Sequence, residues 1–176
     1  LLLLAFIVAY LFGREYADGT ARNLLALPVN RPWFVLAKLA VAAIWWLGLV
    51  VVLLVAGFAI GGGLGLSGLT PEVVQATVLG TLRSAGISFL LAPVAAWITI
   101  ATRNCLGALG FALGMLLLGN LLSHTGWAEW FPWSIVLSGV SGGSGELSWA
   151  SYLIVVVTGA AGVVGSILQL QYADNP

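Results

Sequence analysis

Residues 39–60 read LAVAAIWWLGLVVVLLVAGFAI and contain no charged side chain. This apolar run lacks the alternation of inward and outward residues that a membrane β-barrel strand requires, so we predict that it is a helix. About 20 consecutive apolar helical residues are enough to cross the hydrocarbon core of a bilayer. The stretch therefore predicts a membrane-spanning helix.

The composition extends this prediction to the whole chain of 176 residues. Hydrophobic residues make up 61% of the chain and charged residues 7%, and the mean hydropathy is +1.09. Soluble domains carry about 25% charged residues, so a soluble enzyme, a secreted binding module and a disordered segment are all excluded. We expect residues 1–176 to form one all-α, polytopic transmembrane domain.

Charged residues separate five predicted membrane segments. Residues 1–12 are too short to span a bilayer alone, so we expect them to be part of a helix that begins upstream of Leu1. The other four segments are long enough to span, and they are predicted at residues 33–60, 78–102, 105–122 and 149–170. With a first helix missing, the complete chain would have six.

The connection at residues 123–148 is unusual because it mixes Trp and Phe with Gly and Ser. We expect short helices that lie in, or dip into, the outer membrane interface, with Pro132 and the GGSG run as breakers. A flexible loop that uses its Trp residues only as interfacial anchors is the alternative.

The basic residues predict the orientation of the chain. Alternating helices place five of the six basic residues at one end, namely Arg14, Arg22, Arg31, Lys38 and Arg103. Because basic residues accumulate on the cytoplasmic side of membrane proteins, we expect residues 13–32 and the C-terminus to face the cytoplasm.

Residues 13–32 are the most polar part of the chain. The Asp18-Gly19 pair is a turn signal, and Thr20 can cap a short second helix that stops before Pro28. Helical spacing then predicts a polar face formed by Glu15, Asp18 and Arg22, and an opposite face formed by Tyr16, Thr20, Leu24 and Leu27. This segment could dock onto a soluble partner or lie on the lipid surface.

Several kinds of site are missing from the sequence. No charged residue lies near the middle of a predicted span, which argues against machinery for using an ion gradient. Residues 61–68 are rich in Gly but lack the Lys and Ser/Thr of a P-loop. One Cys and one His predict no metal site, and a net charge of zero predicts no nucleic-acid partner.

The string Glu15-x-x-x-Gly19-Thr20, followed by residues 24–29 (LLALPV), Arg31 and Lys38, resembles the loop after the second helix of ABC-2 type transporter permeases. The bacitracin-resistance and lantibiotic-immunity permeases are the most similar group. The resemblance implies that this loop contains a coupling helix that sits in a cleft of an ATPase subunit. The implied coupling residues are Glu15, Tyr16, Asp18, Gly19, Thr20, Arg22 and Leu24. Pro32 departs from the family pattern at the start of the next helix.

The resemblance also implies a function. Two permease copies, identical or different, would work in a bacterial plasma membrane with two ATPase subunits that bind ATP and Mg²⁺. They would export an amphipathic or hydrophobic compound such as a peptide antibiotic, while this chain would hold no cofactor and would not be an enzyme. The alternatives are a non-transporting scaffold or sensor component assembled through Gly-rich helices and, less favoured, an ion-coupled carrier.

Two stripes of glycine predict close helix packing. One contains Gly107, Gly110 and Gly114, and the other contains Gly159, Gly162 and Gly165. Small residues at such spacing let two membrane helices approach closely. We expect the two stripes to meet within one subunit or across a dimer, and Leu at Ala112 to be mild. Glycines that merely face lipid are the alternative.

Overall fold

The structure is a computed structural model that describes residues 1–20, 30–65, 70–140 and 148–172. Within these ranges the regular elements are α-helices and there is no strand, which confirms the predicted all-α fold. We number the helices α1 (Leu2–Ala17), α2 (Arg31–Gly63), α3 (Pro71–Leu90), α4 (Ala92–Thr102), α5 (Cys105–Ser123), α6 (Pro132–Val140) and α7 (Trp149–Tyr172).

Four helical segments in the described residues are long and apolar enough to cross a membrane. They are α2, the 32-residue segment formed by α3 and α4, α5, and α7. Helix α1 has 16 residues and therefore rises about 24 Å, less than the roughly 30 Å of a hydrocarbon core. The chain is a polytopic membrane protein.

Helix α1 does not end at residue 12, as predicted, but continues to Ala17. The prediction ended this helix where the charged residues begin. Charge alone does not stop a helix, and no Gly-based turn or proline occurs until Asp18 and Gly19. The first residues of the predicted loop 13–32 are therefore helical.

Caps and prolines set the start of two further helices. The Thr70 hydroxyl accepts a hydrogen bond from the backbone N–H of Val73 at 3.4 Å, so α3 begins at Pro71 rather than at the predicted residue 78. The predicted start was too late, although a carboxylate such as Glu72 in the first turn favours a helix N-terminus. Helix α2 begins at Arg31, with Pro32 in the first turn, where its missing N–H costs no intrahelical hydrogen bond.

The predicted helix 78–102 is broken at Leu91 and forms two helices. Pro93 has no N–H, and the N–H of Val94 donates to the Leu91 carbonyl at 3.1 Å instead of to Leu90. Pro93 thus lies in the first turn of α4, where proline is well tolerated.

Helix α4 lies at the centre of the bundle. It packs along α7, and it also contacts α1 and α5. Its buried face consists mainly of small residues, Ala92, Ala95 and Ala96, with Ile100. Because these side chains are short, the neighbouring helices approach it closely.

Helix α6 lies within the segment predicted to contain short helices, and it begins at Pro132. Its buried Ile135 and Val136 pack with Ile87, Leu91 and Val155. In its first turn the Ser134 hydroxyl donates to the carbonyl of Ala128, which precedes the helix, at 2.6 Å. This part of the segment therefore packs against the bundle. The GGSG run lies outside the described residues, and a place in the membrane interface stays a prediction.

The helices bring most of the described basic residues to one end, which we call the charged end. There the side chain of Arg31 donates to the Leu170 carbonyl, and the Cys105 thiol donates to the Ala9 carbonyl at 3.2 Å. These contacts join α1, α2, α5 and α7. Arg83 lies elsewhere, with its guanidinium 5.6 Å from the centre of the Tyr152 ring near the start of α7.

Candidate coupling site at the charged end

The chain leaves α1 through a tight turn at the charged end. Asp18 caps the helix through its backbone N–H, which donates to the Arg14 carbonyl at 2.8 Å. Gly19 follows with a φ of +67°, a left-handed conformation that glycine adopts without steric cost. The break predicted at Gly19 lies at this turn.

Arg14 and Asp18 form an ion pair on the outer side of this turn. The Arg14 Nε lies 3.2 Å from Asp18 Oδ2, and both side chains are more than half exposed. An exposed pair of this kind contributes at most about 1 kcal/mol to stability. Breaking this ion pair to bind a partner therefore costs little free energy.

Glu15 points the other way, toward α2. Its Oε1 lies 2.7 Å from Lys38 Nζ, and the two side chains are 22% and 14% exposed. The same Nζ donates to the Leu11 carbonyl at 2.6 Å. Glu15 was predicted among the docking residues, but the structure pairs it with a residue of its own chain.

Lys38 completes this site, although it was not among the predicted coupling residues. Its Nζ lies 5.0 Å from the ring centre of Phe12 and 4.6 Å from that of Phe34. Lys38 was used to predict orientation and as part of the loop resemblance, but it was given no partner. Its position, about two turns into an apolar helix, was the signal that it needed a partner.

The remaining predicted coupling residues are placed unevenly. Tyr16 is half-buried and packs against the main core cluster. Thr20 is exposed, and its hydroxyl donates to the Glu15 carbonyl at 3.5 Å, beside the end of α1. Arg22, Leu24 and the short helix that Thr20 was expected to cap lie outside the described residues.

The glycines of α7 pack against α3 and α4. A Cβ at Gly159 would overlap the Leu90 carbonyl oxygen, and one at Gly162 would lie 2.6 Å from the Val94 nitrogen. At Gly165 a Cβ would lie 2.6 Å from the Trp97 ring. The glycine stripe of α7 therefore packs against the helix break at Leu91, where α3 ends and α4 begins.

The glycines of α5 are arranged differently. A Cβ at Gly110 or Gly114 would meet nothing within 4 Å, while one at Gly107 would meet the Thr102 side chain at 2.8 Å. The expected contact between the two stripes within a subunit is therefore wrong, because α7 lies against α4. Ala112 is 8% exposed and belongs to the main core cluster, which removes the reason for expecting Leu there to be mild.

Gly110 lies instead in an open groove between α1 and α5. The groove is apolar and is lined by Leu2, Leu3, Phe6, Leu106, Leu109, Gly110 and Leu113. Leu106 is 73% exposed and Phe6 is 51% exposed. A helix from another molecule could reach the backbone of α5 at this point.

Comparison with known proteins decides the family. The family model described as "ABC-2 family transporter protein" matches residues 1–119, which contain α1, the predicted coupling segment, α2 to α4 and most of α5. The chain belongs to the ABC-2 transporter family. The resemblance drawn from the loop around Glu15, Gly19 and Thr20 is thereby confirmed.

A curated relative adds detail to this family assignment. This ABC-2 chain is 29% identical over 138 residues to the "Bacitracin transport permease protein BCRB" of Bacillus licheniformis. The match covers 74% of this chain and 62% of that protein, so the chain spans less than two thirds of the relative's length. No solved structure matches the chain.

Proposed function

We propose that this chain is the permease subunit of an ABC transporter that exports an amphipathic or hydrophobic compound such as a peptide antibiotic. The observation that carries the proposal is the family match across residues 1–119. The name of the bacitracin permease relative supports the substrate class. ATP and Mg²⁺ would bind to a separate ATPase subunit, and this chain would perform no chemistry.

The proposed contact with the ATPase subunit is the exposed corner formed by Arg14, Asp18 and Gly19. The left-handed turn at Gly19 brings the backbone to the surface without a side chain, so a partner can approach it closely. Arg14 and Asp18 offer one charge of each sign beside it. Desolvated hydrogen bonds to charged groups stabilise such contacts more than neutral ones do.

Changing this corner is expected to uncouple the two subunits. In the full-length permease reconstituted with its ATPase subunit, Asp18→Lys and Gly19→Val should lower ATPase stimulation by bacitracin about tenfold. Expression and membrane insertion of Asp18→Lys should stay unchanged, because the position is exposed. Gly19→Val also strains the turn, whose φ is +67°, so Asp18→Lys is the variant that isolates the contact. Gln75→Lys, exposed on α3 away from the charged end, is the matched control.

The same assay separates the competing functions. Stimulation that survives both corner variants would contradict the docking assignment. An ATPase subunit that co-purifies with the permease but is never stimulated, with no ATP-dependent transport, would favour the scaffold or sensor hypothesis. Transport driven by an ion gradient without the ATPase subunit would favour a carrier.

We also propose that the charged end faces the cytoplasm of a bacterial cell, because basic residues accumulate on that side. Cysteines introduced as Asn23→Cys and Ser144→Cys, each in a Cys105→Ser background, test this orientation. An impermeant thiol reagent added to intact cells should label the second variant and not the first. The reverse pattern would overturn the orientation.

The second permease copy is proposed to contact the groove between α1 and α5. There Gly110 and Gly114 leave open space beside the α5 backbone. Since lipid provides little hydrophobic drive for helix association, such contact depends on van der Waals fit at small residues. The copy that occupies the groove could be identical to this chain or a related permease.

A further inference from the structure

We propose that Glu15 and Lys38 form a lock that joins the charged ends of α1 and α2, so that a displacement of the segment between them moves both helices together. The inference rests on the proposed coupling function of that segment. In this role the two residues are positioning residues, and neither touches the ATPase subunit.

The partners of Lys38 come from both helices. Its Nζ bonds Glu15 Oε1 at 2.7 Å and the Leu11 carbonyl at 2.6 Å, both on α1. The faces of Phe12 on α1 and Phe34 on α2 cover the ammonium group. The contacts with Glu15, Leu11 and Phe12 join the two helices and would be strained or lost if the helix ends moved apart; Phe34 lies on the same helix as Lys38.

The orientation of Lys38 is not the usual one for lysine near a membrane surface. A lysine in this position ordinarily extends its stem so that the charge reaches water. Arg14, one residue before Glu15, does lie on the exposed side, where it pairs with Asp18. Lys38 turns inward instead and remains only 14% exposed.

Stability alone gives a poor reason for this arrangement. A buried ion pair is often no more stable than apolar residues of similar volume, because the desolvation of both charges offsets their attraction. The Glu15–Lys38 pair is partly buried, and it persists only while the carboxylate and the ammonium group stay within hydrogen-bond distance, so it favours one relative position of the two helices. The arrangement is therefore suited to holding α1 and α2 in one relative position.

The lock joins the two ends of the segment that connects α1 to α2. On one side α1 packs against α4 and α5, and on the other α2 contacts α7, with the Arg31 side chain bonded to the Leu170 carbonyl. A displacement of the segment would thus be transmitted through α1 to α4 and α5, and through α2 to α7. Without the lock, α2 could follow the segment while α1 stayed behind.

A neutral double variant separates a lock from a purely structural pair. In the full-length permease with its ATPase subunit in proteoliposomes, Glu15→Gln or Lys38→Met alone should lower the melting temperature. The combination Glu15→Gln/Lys38→Met should restore it, because no buried charge is left unpaired. Bacitracin transported per ATP hydrolysed should nevertheless fall about tenfold in the double variant. Recovery of both stability and coupling would overturn the proposal.

Two further variants test the lock if the double variant fails to insert into the membrane. Lys38→Arg keeps a cation that reaches the carboxylate and should retain coupling. Glu15→Asp keeps the charge but withdraws the carboxylate by one methylene, and it should lose coupling while remaining inserted. Equal coupling in both variants would contradict the lock.

A measurement on the permease alone separates the lock from the proposed function. Spin labels at Tyr10 on α1 and Leu36 on α2, both exposed, report the distance between the helices in a Cys105→Ser background. The distance distribution should be narrow in the parent protein and broad in the neutral double variant. An unchanged distribution would overturn the lock even if the transporter works. If the distribution broadens in the double variant but the parent permease does not bind the ATPase subunit, the lock is supported and the coupling function is contradicted.

Discussion

Gly162→Leu is expected to destabilise the helix bundle strongly. A Cβ at this position would lie 2.6 Å from the Val94 nitrogen and 2.7 Å from the Pro93 carbonyl carbon. Both are backbone atoms of α4, and α4 cannot withdraw because its other side forms the main core with α1 and α2. Overpacking of a core costs about 1–3 kcal/mol, and a contact with unyielding backbone belongs at the upper end of that range.

Gly48→Leu provides the control for this experiment. Gly48 lies on the exposed surface of α2, and a Cβ there would meet nothing within 4 Å. Size-exclusion chromatography of the detergent-solubilised variants after heating gives the melting temperature of each. Gly48→Leu should match the parent protein, and Gly162→Leu should aggregate or melt at a much lower temperature. Equal melting of the two variants would show that α7 does not pack on α4 at this point.

Gly110→Leu is expected to abolish the contact between two permease copies and to leave the single subunit folded. Gly110 is exposed and has open space above its Cα, so a Leu side chain fits within one chain. It would fill the groove between α1 and α5, where the backbone of a second copy is proposed to approach. Subunit counting in nanodiscs measures the assembly, and thermal melting measures the fold.

Ala112→Leu is the matched comparison on the same helix. Ala112 is buried in the main core cluster, so a larger side chain there should lower the stability of the subunit by about 1–3 kcal/mol. The two variants therefore have opposite expected results in the two measurements. Assembly that persists in Gly110→Leu would place the second copy elsewhere, with lipid occupying the groove.

Much of the fold could be predicted from particular stretches of the sequence. The apolar run at residues 39–60 predicted a spanning helix because only helices and closed barrels satisfy the backbone hydrogen bonds in lipid, and this run lacks the alternation of a barrel strand. The start of α5 was predicted at residue 105, and in the structure the Asn104 side chain caps it by accepting from the Leu106 N–H at 2.9 Å. The start of α3 was missed although Thr70-Pro71 is a local start signal.

The candidate site could be predicted only in part. The turn at Gly19 depends on the backbone of one residue, so the sequence indicated it directly. The direction of the Glu15 side chain depends on where α2 lies, and Lys38 is far from it along the chain. Helical spacing placed Glu15 and Asp18 on one face, whereas in the structure Glu15 turns to α2 and Asp18 to the exterior.

The sequence by itself determined that this is an all-α membrane protein, where most of its helices lie, and which family it belongs to. These properties depend on hydropathy, local breakers and a short motif. The tertiary structure alone decided which helix faces meet. Gly162 packs against α4, Ala112 is buried in the core, Gly110 lies in an open groove, and Glu15 pairs with Lys38. The physical reason is that lipid is as apolar as the protein core, so hydrophobicity does not distinguish a buried face from an exposed one, and only the fit between neighbouring helices does.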